Sequence, residues 1–200
     1  MTISIDSEGM IKHVHVFLRR FRVIEHGTLD GVKAIVVHQT DSPTAESTFN
    51  AYLSGGNGAH FLIDKDGRIY QTASLLKRCY HVGRLIKSRC LELTPNSCSD
   101  PNLAKIKALG WSARINEIDR IERQKPYPDR FPVNSDSLGI ELVGRHIDDK
   151  SFEMVTSAQN ASLRWLLDAL YDSFSIGADD TFRHPAISYK NPGEAAGARW

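Results

Sequence analysis

Hydrophobic and polar positions along the 200-residue chain alternate between a strand-like and a helix-like period. Lys33 to His38 (KAIVVH) is a short β-branched run, which predicts a buried strand. It ends in the polar loop His38-Gln39-Thr40-Asp41-Ser42-Pro43. Thr44 can then cap a helix with Phe49, Tyr52 and Leu53 on one face, broken by Gly55-Gly56-Asn57-Gly58. His60 to Asp64 (HFLID) and Arg68 to Thr72 (RIYQT) flank Lys65-Asp66-Gly67. That reads as a hairpin, because Asp-Gly supplies the positive φ its turn needs. Ser137 to Val143 is another buried strand, closed by Gly144. After Thr156, a capping residue, Leu163, Leu166, Leu167, Leu170 and Phe174 recur at helical spacing and predict the clearest helix of the chain.

The remaining segments are less regular. Residues 10–25 alternate loosely and read as a strand or an N-terminal extension. Residues 84–136 carry Thr94-Pro95, Asp100-Pro101, Lys125-Pro126 and Tyr127-Pro128, with helices expected at 101–109 and 112–124. A region this long between strands points to a functional element or a lid. Thr181 to Trp200 reads as loop with a short strand at most. Strands alternating with helices predict an α/β class: a single domain with a central mixed β-sheet flanked by helices. The expected organisation is an N-terminal extension over 1–32 packed on a domain over 33–200, with a long insertion at about 84–136.

Composition narrows the class of partner. The net charge is +1, so no nucleic-acid partner is implied. No apolar run approaches the roughly 18 residues of a membrane span. The first residues are polar and lack the pattern of a secretory leader, so the protein is expected to be made in the cytoplasm. Between Lys77 and Arg89 the chain carries Lys77, Arg78, Arg84, Lys87 and Arg89 with no acid. This is either a solvated loop or a rim for an anionic substrate. Cys79, Cys90 and Cys98 form no CxxC pair and read as reduced structural thiols; the alternative is a Cys90–Cys98 bridge in an oxidising compartment.

Four of the eight histidines lie where chemistry is plausible by position: His38, His60, His81 and His184. A lone histidine near a strand is more often structural than a ligand. His38 differs because it ends a buried strand and opens a polar loop, where sheet-based sites gather. His184 follows the main helix in a Pro-punctuated loop. Neither has a local partner at ligand spacing, so spacing alone makes a weak metal site. Glu141 interrupts an otherwise apolar strand; it either faces solvent by alternation or, if both faces are covered, needs a partner or a task.

Five segments, in order, resemble one family. Val36-Val37-His38-Gln39-Thr40-Asp41-Ser42-Pro43 resembles the first zinc-ligand motif of type 2 N-acetylmuramoyl-L-alanine amidases, which share a fold with peptidoglycan recognition proteins. Ala59 to Gln71 resembles the family's hairpin, and Tyr80-His81-Val82-Gly83 its Trp-His-Ala-Gly element. Ser137 to Gly144 is similar to its central strand. Phe182-Arg183-His184-Pro185 with Lys190-Asn191-Pro192-Gly193 resembles its C-terminal motif. The match spans roughly residues 33–200 and leaves the first 30 residues and the 84–136 region unexplained.

The resemblance implies that His38 and His184 are ligands of one catalytic Zn2+, that Glu141 is the general base and acid, and that Lys190 stabilises the transition state. Ala59 with Glu141 is similar to the branch of the family that uses a glutamate. The third ligand departs from the pattern: Asn191 stands where an Asp or Cys is expected, and a neutral amide is a poor zinc ligand. Glu194, ten residues after His184, is the favoured substitute, with Asn191, Asp41 or no third ligand as alternatives. His60 and His81 are expected to support the ligands or contact substrate. Arg84 and its basic neighbours would meet the carboxylates of a stem peptide. The implied substrate is peptidoglycan or a muropeptide, in one of three settings: cytoplasmic recycling, a phage lysin, or a delivered antibacterial effector acting in the periplasm with a cognate inhibitor protein. The rival reading is a module that binds peptidoglycan without cutting it.

Overall fold

A computed structural model describes residues 3–93, 98 and 100–200. Among these residues, ten strands and six α-helices follow in chain order. The strands β1 (Ser4–Ile5) and β2 (Ile11–Lys12) form a small antiparallel pair, and β3 (Val16–Leu18) follows. Then come β4 (Ala34–Gln39), α1 (Ala45–Leu53), β5 (Phe61–Ile63) and β6 (Ile69–Gln71). Three helices, α2 (Arg89–Leu93), α3 (Asn102–Lys107) and α4 (Trp111–Glu122), precede β7 (Ser137–Leu142). A hairpin of β8 (His146–Asp148) and β9 (Ser151–Phe152) leads to α5 (Ser157–Phe174), β10 (Thr181–Arg183) and α6 (His184–Ile187).

Six strands make the central sheet in the order β10-β4-β7-β5-β6-β3. Every neighbouring pair is parallel except the β5–β6 hairpin, so the sheet is mixed. Strands β4 and β7 are buried along nearly their whole length, because both faces of the sheet are covered. On one face Ile35, Val37, Leu138, Ile140 and Leu142 pack against Leu163, Leu166, Leu167 and Leu170 of α5. On the other, Leu62 and Val143 meet Phe49 and Tyr52 of α1, and Val36 meets Val82, Leu85 and Ile187. His38 and Glu141 alternate with Val37 and with Ile140 and Leu142, so their side chains fall on this second face.

The sequence expectations for β4, α1, the hairpin, β7, α4 and α5 hold to within a few residues. Both expected caps form: Thr44 accepts from the Ser47 N–H, and Thr156 and Gln159 make a capping box. Three features differ. Residues 16–18, in the stretch read as a strand or as an extension packed on the domain, form an edge strand of the main sheet itself, paired with β6. The β8–β9 hairpin was not foreseen. The reading of three reduced thiols gives way to a Cys90–Cys98 disulfide; α2 turns the chain so that their Cα atoms lie 5.5 Å apart, within bridging range, while Cys79 is free and buried. Thr94-Pro95 lies outside the described residues. Among those residues no helix is long and apolar enough to cross a membrane.

Candidate active site and metal centre

The site forms where the parallel strands β4 and β7 end. Their register sets His38 directly opposite Glu141. On the other side of β4, β10 pairs in parallel with Arg183 opposite Val37, which delivers His184, the first residue of α6, beside His38. Two histidines 146 residues apart thus come within hydrogen-bond distance, with 2.9 Å between their Nδ1 atoms.

The third member arrives on the strap after α6. Glu194 Oε1 lies 3.0 Å from His184 Nδ1 and 3.4 Å from His38 Nδ1. Ala195, at φ 55°, turns the strap inward, and its N–H reaches Gln39 Oε1 at 3.3 Å. The other end of the Gln39 amide donates to the Glu153 carbonyl at 2.8 Å, so Gln39 ties the strap to the segment after β9. Asn191 is not part of the cluster. Its Nδ2 donates to the Asp148 carbonyl and its Oδ1 accepts from the Gly193 N–H, which uses both ends of the amide in holding the strap. Asp41 is likewise occupied, accepting from the His146 N–H.

Among the described residues, His38, His184 and Glu194 are the group able to hold a metal ion. Their geometry fits one. Three lone-pair donors converge in a buried spot at mutual separations of 2.9, 3.0 and 3.4 Å. A tetrahedral zinc with bonds of about 2.0–2.1 Å sets its donors roughly 3.3 Å apart. The charge states suit ligation as well. Burial, helped by neighbouring His184, pulls His38 down to about 4, so its ring is neutral. Burial alone would raise the Glu194 carboxyl, but hydrogen bonds from His184 and His38 overcome it and hold the group at about 2, so it is ionised.

Glu141 sits beside this cluster in a cavity of about 720 Å³ walled by His38, Tyr52, Tyr80, His146, Lys190 and Glu194, among others. Burial, with the Glu194 charge next in effect, pushes its carboxyl up to about 8. Its Oε2 is buried and has no hydrogen-bond partner. A carboxyl kept near neutrality in pKa and left without a partner is suited to taking up and giving back a proton. Lys190 enters the same cavity from the strap.

The remaining expected residues fall into two groups. His81 lines the cavity and touches a ligand: its Nδ1 is 3.1 Å from His38 Nε2, while its Nε2 is 3.2 Å from the Ser137 carbonyl. Burial and the neighbouring His38 push its pKa well below the ordinary value. The ring lies against β7 because residue 139 is glycine; a Cβ there would fall 2.9 Å from it. His60, expected to support the ligands or contact substrate, and Arg84, expected at the stem peptide, do not line the cavity. His60 is fully buried under the site, with Nε2 on the Lys77 carbonyl and Nδ1 accepting from the Gly139 N–H. Burial brings its pKa down to about 4. Arg84 lies outside the cavity wall and donates to Asn116 on α4. The sequence reading missed Tyr52 and His146 as wall residues. Tyr52 was legible only as a core-facing position of α1, and the Asp-Asp-Lys turn at 148–150 was the one signal of the hairpin that brings in His146.

The family model described as N-acetylmuramoyl-L-alanine amidase matches residues 28–195. The chain belongs to that family. It is a peptidoglycan amidase by class, and the motifs that carry the family resemblance are those that build the site above. Among solved structures, a selenomethionine derivative of AmpD is 20% identical, with a TM-score of 0.55, over 98% of this chain and 95% of that one. A mutant endolysin from Bacillus subtilis is 17% identical over 86% and 84% of the two chains, with a TM-score of 0.50. AmpDh3 from Pseudomonas aeruginosa, solved in complex with anhydromuramic pentapeptide, is 18% identical over 78% of this chain and 51% of that one, also with a TM-score of 0.50. At these identities the likeness establishes the shared amidase fold. Comparison with curated proteins finds no match.

Proposed function

We propose that this amidase is zinc-dependent and hydrolyses the bond between the lactyl group of N-acetylmuramic acid and the L-Ala of the stem peptide. The observation that carries the reading is the convergence of His38, His184 and Glu194 beside an unpartnered Glu141 carboxyl. A bound zinc would polarise the amide carbonyl and acidify water at the open fourth position. Glu141 takes a proton from the attacking water and returns it to the departing amine, whose C–N bond breaks. Lys190 donates to the oxyanion, a role worth about 3–4 kcal/mol for one well-placed donor. His81 acts through His38 rather than on substrate.

The test pairs zinc content with a digest of muropeptides. The parent protein is expected to bind one zinc and release free stem peptides. Glu141→Gln should keep the zinc while turnover falls by at least about 100-fold. Full activity in that variant sinks the assigned role. His38→Ala should lose the metal. A zinc-free parent that binds wall fragments without cutting them would favour the binding-module reading. Glu194 weighs against that reading, because it supplies the third donor that Asn191 does not.

The Cys90–Cys98 bridge favours work in an oxidising compartment, hence a lysin or a delivered effector rather than recycling. An effector of this kind would be met by a cognate inhibitor protein in the producing cell. Preference for intact sacculi over soluble anhydro-muropeptides is the expected outcome; the reverse preference would place the enzyme in recycling.

A further inference from the structure

Tyr52 is a buried group that the mechanism above does not use. It projects from α1 into the wall of the catalytic cavity and is 5% exposed. Its hydroxyl is buried with no hydrogen-bond partner, and so is Glu141 Oε2 in the same cavity. The Ala59 N–H acts on this oxygen and favours its ionised form, yet that contact falls short of hydrogen-bond geometry. Each orphaned polar atom alone is costly, because burial strips its water without supplying a partner. Two of them on one cavity are explained together if a single water satisfies both.

Resting on the amidase reading, we propose that Tyr52 is a further catalytic residue, the second anchor of the attacking water. That water donates one proton to Glu141 Oε2 and the other to the Tyr52 oxygen. With both protons directed away, its lone pairs point into the cavity, where His38, His184 and Glu194 converge and the amide carbon must lie. When Glu141 takes the first proton, the water oxygen forms its bond to the carbonyl carbon as the C=O π pair moves onto the carbonyl oxygen, and the second proton stays on the attacking oxygen, still held by Tyr52. The oxyanion pair then re-forms the carbonyl, the C–N bond breaks with its pair on nitrogen, and Glu141 passes its proton to that amine. Tyr52 is not consumed and changes no bond. Burial, with the Glu141 charge next in effect, raises the phenol well above its ordinary range, so it stays neutral throughout.

Tyr52 serves no evident packing purpose that phenylalanine would not: its ring sits among Phe21, Phe49 and other apolar groups. Tyr52→Phe therefore removes the oxygen and keeps the ring. The expected result is a fall in kcat of at least about tenfold with KM, zinc content and melting temperature held. A kcat within twofold of the parent overturns the proposal, as does a loss that follows lowered zinc content or melting temperature. A crystal structure gives a readout independent of activity. An ordered water within about 3.2 Å of both Tyr52 Oη and Glu141 Oε2 supports the anchor, and its absence overturns it. If the parent releases no stem peptides, the amidase reading fails whatever the water shows. If the parent is active and Tyr52→Phe matches it, the anchor alone fails.

Discussion

The imidazole of His38 has one nitrogen facing His184 and Glu194 and the other facing His81. This arrangement admits one consistent set of protons when a metal is bound. His38 Nδ1 must keep its lone pair, so Nε2 carries the proton and donates to His81 Nδ1. His81 Nε2 then donates to the Ser137 carbonyl. His81 therefore fixes the tautomer of its neighbour, and such partners typically change metal affinity by about 10–100-fold. Competition titration against a zinc chelator should find His81→Ala weaker than the parent by about tenfold or more. Equal affinity would show that the contact does not orient the ligand.

At the scale of elements, α5 is fastened at its N-terminus to two strands at once. Thr156 Oγ1 accepts from the Gln159 N–H at 3.0 Å and donates to the Lys65 carbonyl at 2.8 Å. Gln159, fully buried, returns a bond to the Thr156 N–H and spends its amide protons on the carbonyls of Ile63 and Val143. Those carbonyls lie on the last residue of β5 and just past the end of β7, the strand that carries Glu141. Gly67 fits the same junction, with φ 87° and no room for a Cβ beside the Ala158 carbonyl. Thr156→Ala should cost about 1–2 kcal/mol, read as a lower urea midpoint at unchanged slope. A midpoint equal to the parent would mean the cap is replaced by solvent.

The whole molecule buries titratable groups of opposite sense, which shapes stability against pH in the metal-free protein. His60 and His38 titrate at about 4 when folded against 6.5 unfolded, and His81 is shifted the same way. Their contribution is present above pH 6.5 and is lost as pH falls through about 4, because the unfolded chain binds more protons there. Glu141 runs the other way. Its folded value of about 8 exceeds the usual 4.5, so stability declines as pH rises between those values. Each group changes stability by about 1.4 kcal/mol per pH unit within its window. Below pH 6.5 at least two histidines outweigh one glutamate, and between pH 6.5 and about 8 Glu141 dominates. Urea unfolding should therefore give a maximum near pH 6.5, and Glu141→Gln should flatten the alkaline side. A profile still falling between pH 6.5 and about 8 in the variant would refute the Glu141 contribution.

Local periodicity determined β4, the β5–β6 hairpin, β7, α1, α4, α5 and both caps, because alternation and helical spacing are set by which face must leave water. Ordered motifs also determined that His38, His184 and Glu141 belong together. The fold decided the rest. Glu194, already favoured over Asn191 by its spacing from His184, reaches the two histidines through a positive φ at Ala195 and a tie from Gln39, neither of which has a local signature. His60 was buried against the Gly139 N–H and the Lys77 carbonyl while His81 reached the ligand, although the sequence marked both as candidate chemistry. Tyr52 became part of the cavity because α1 packs on the face where Glu141 emerges. Sequence specifies each segment's own conformation through short-range forces. Which side chains meet across 146 residues depends on strand register, and that is fixed only when both faces of the sheet are buried.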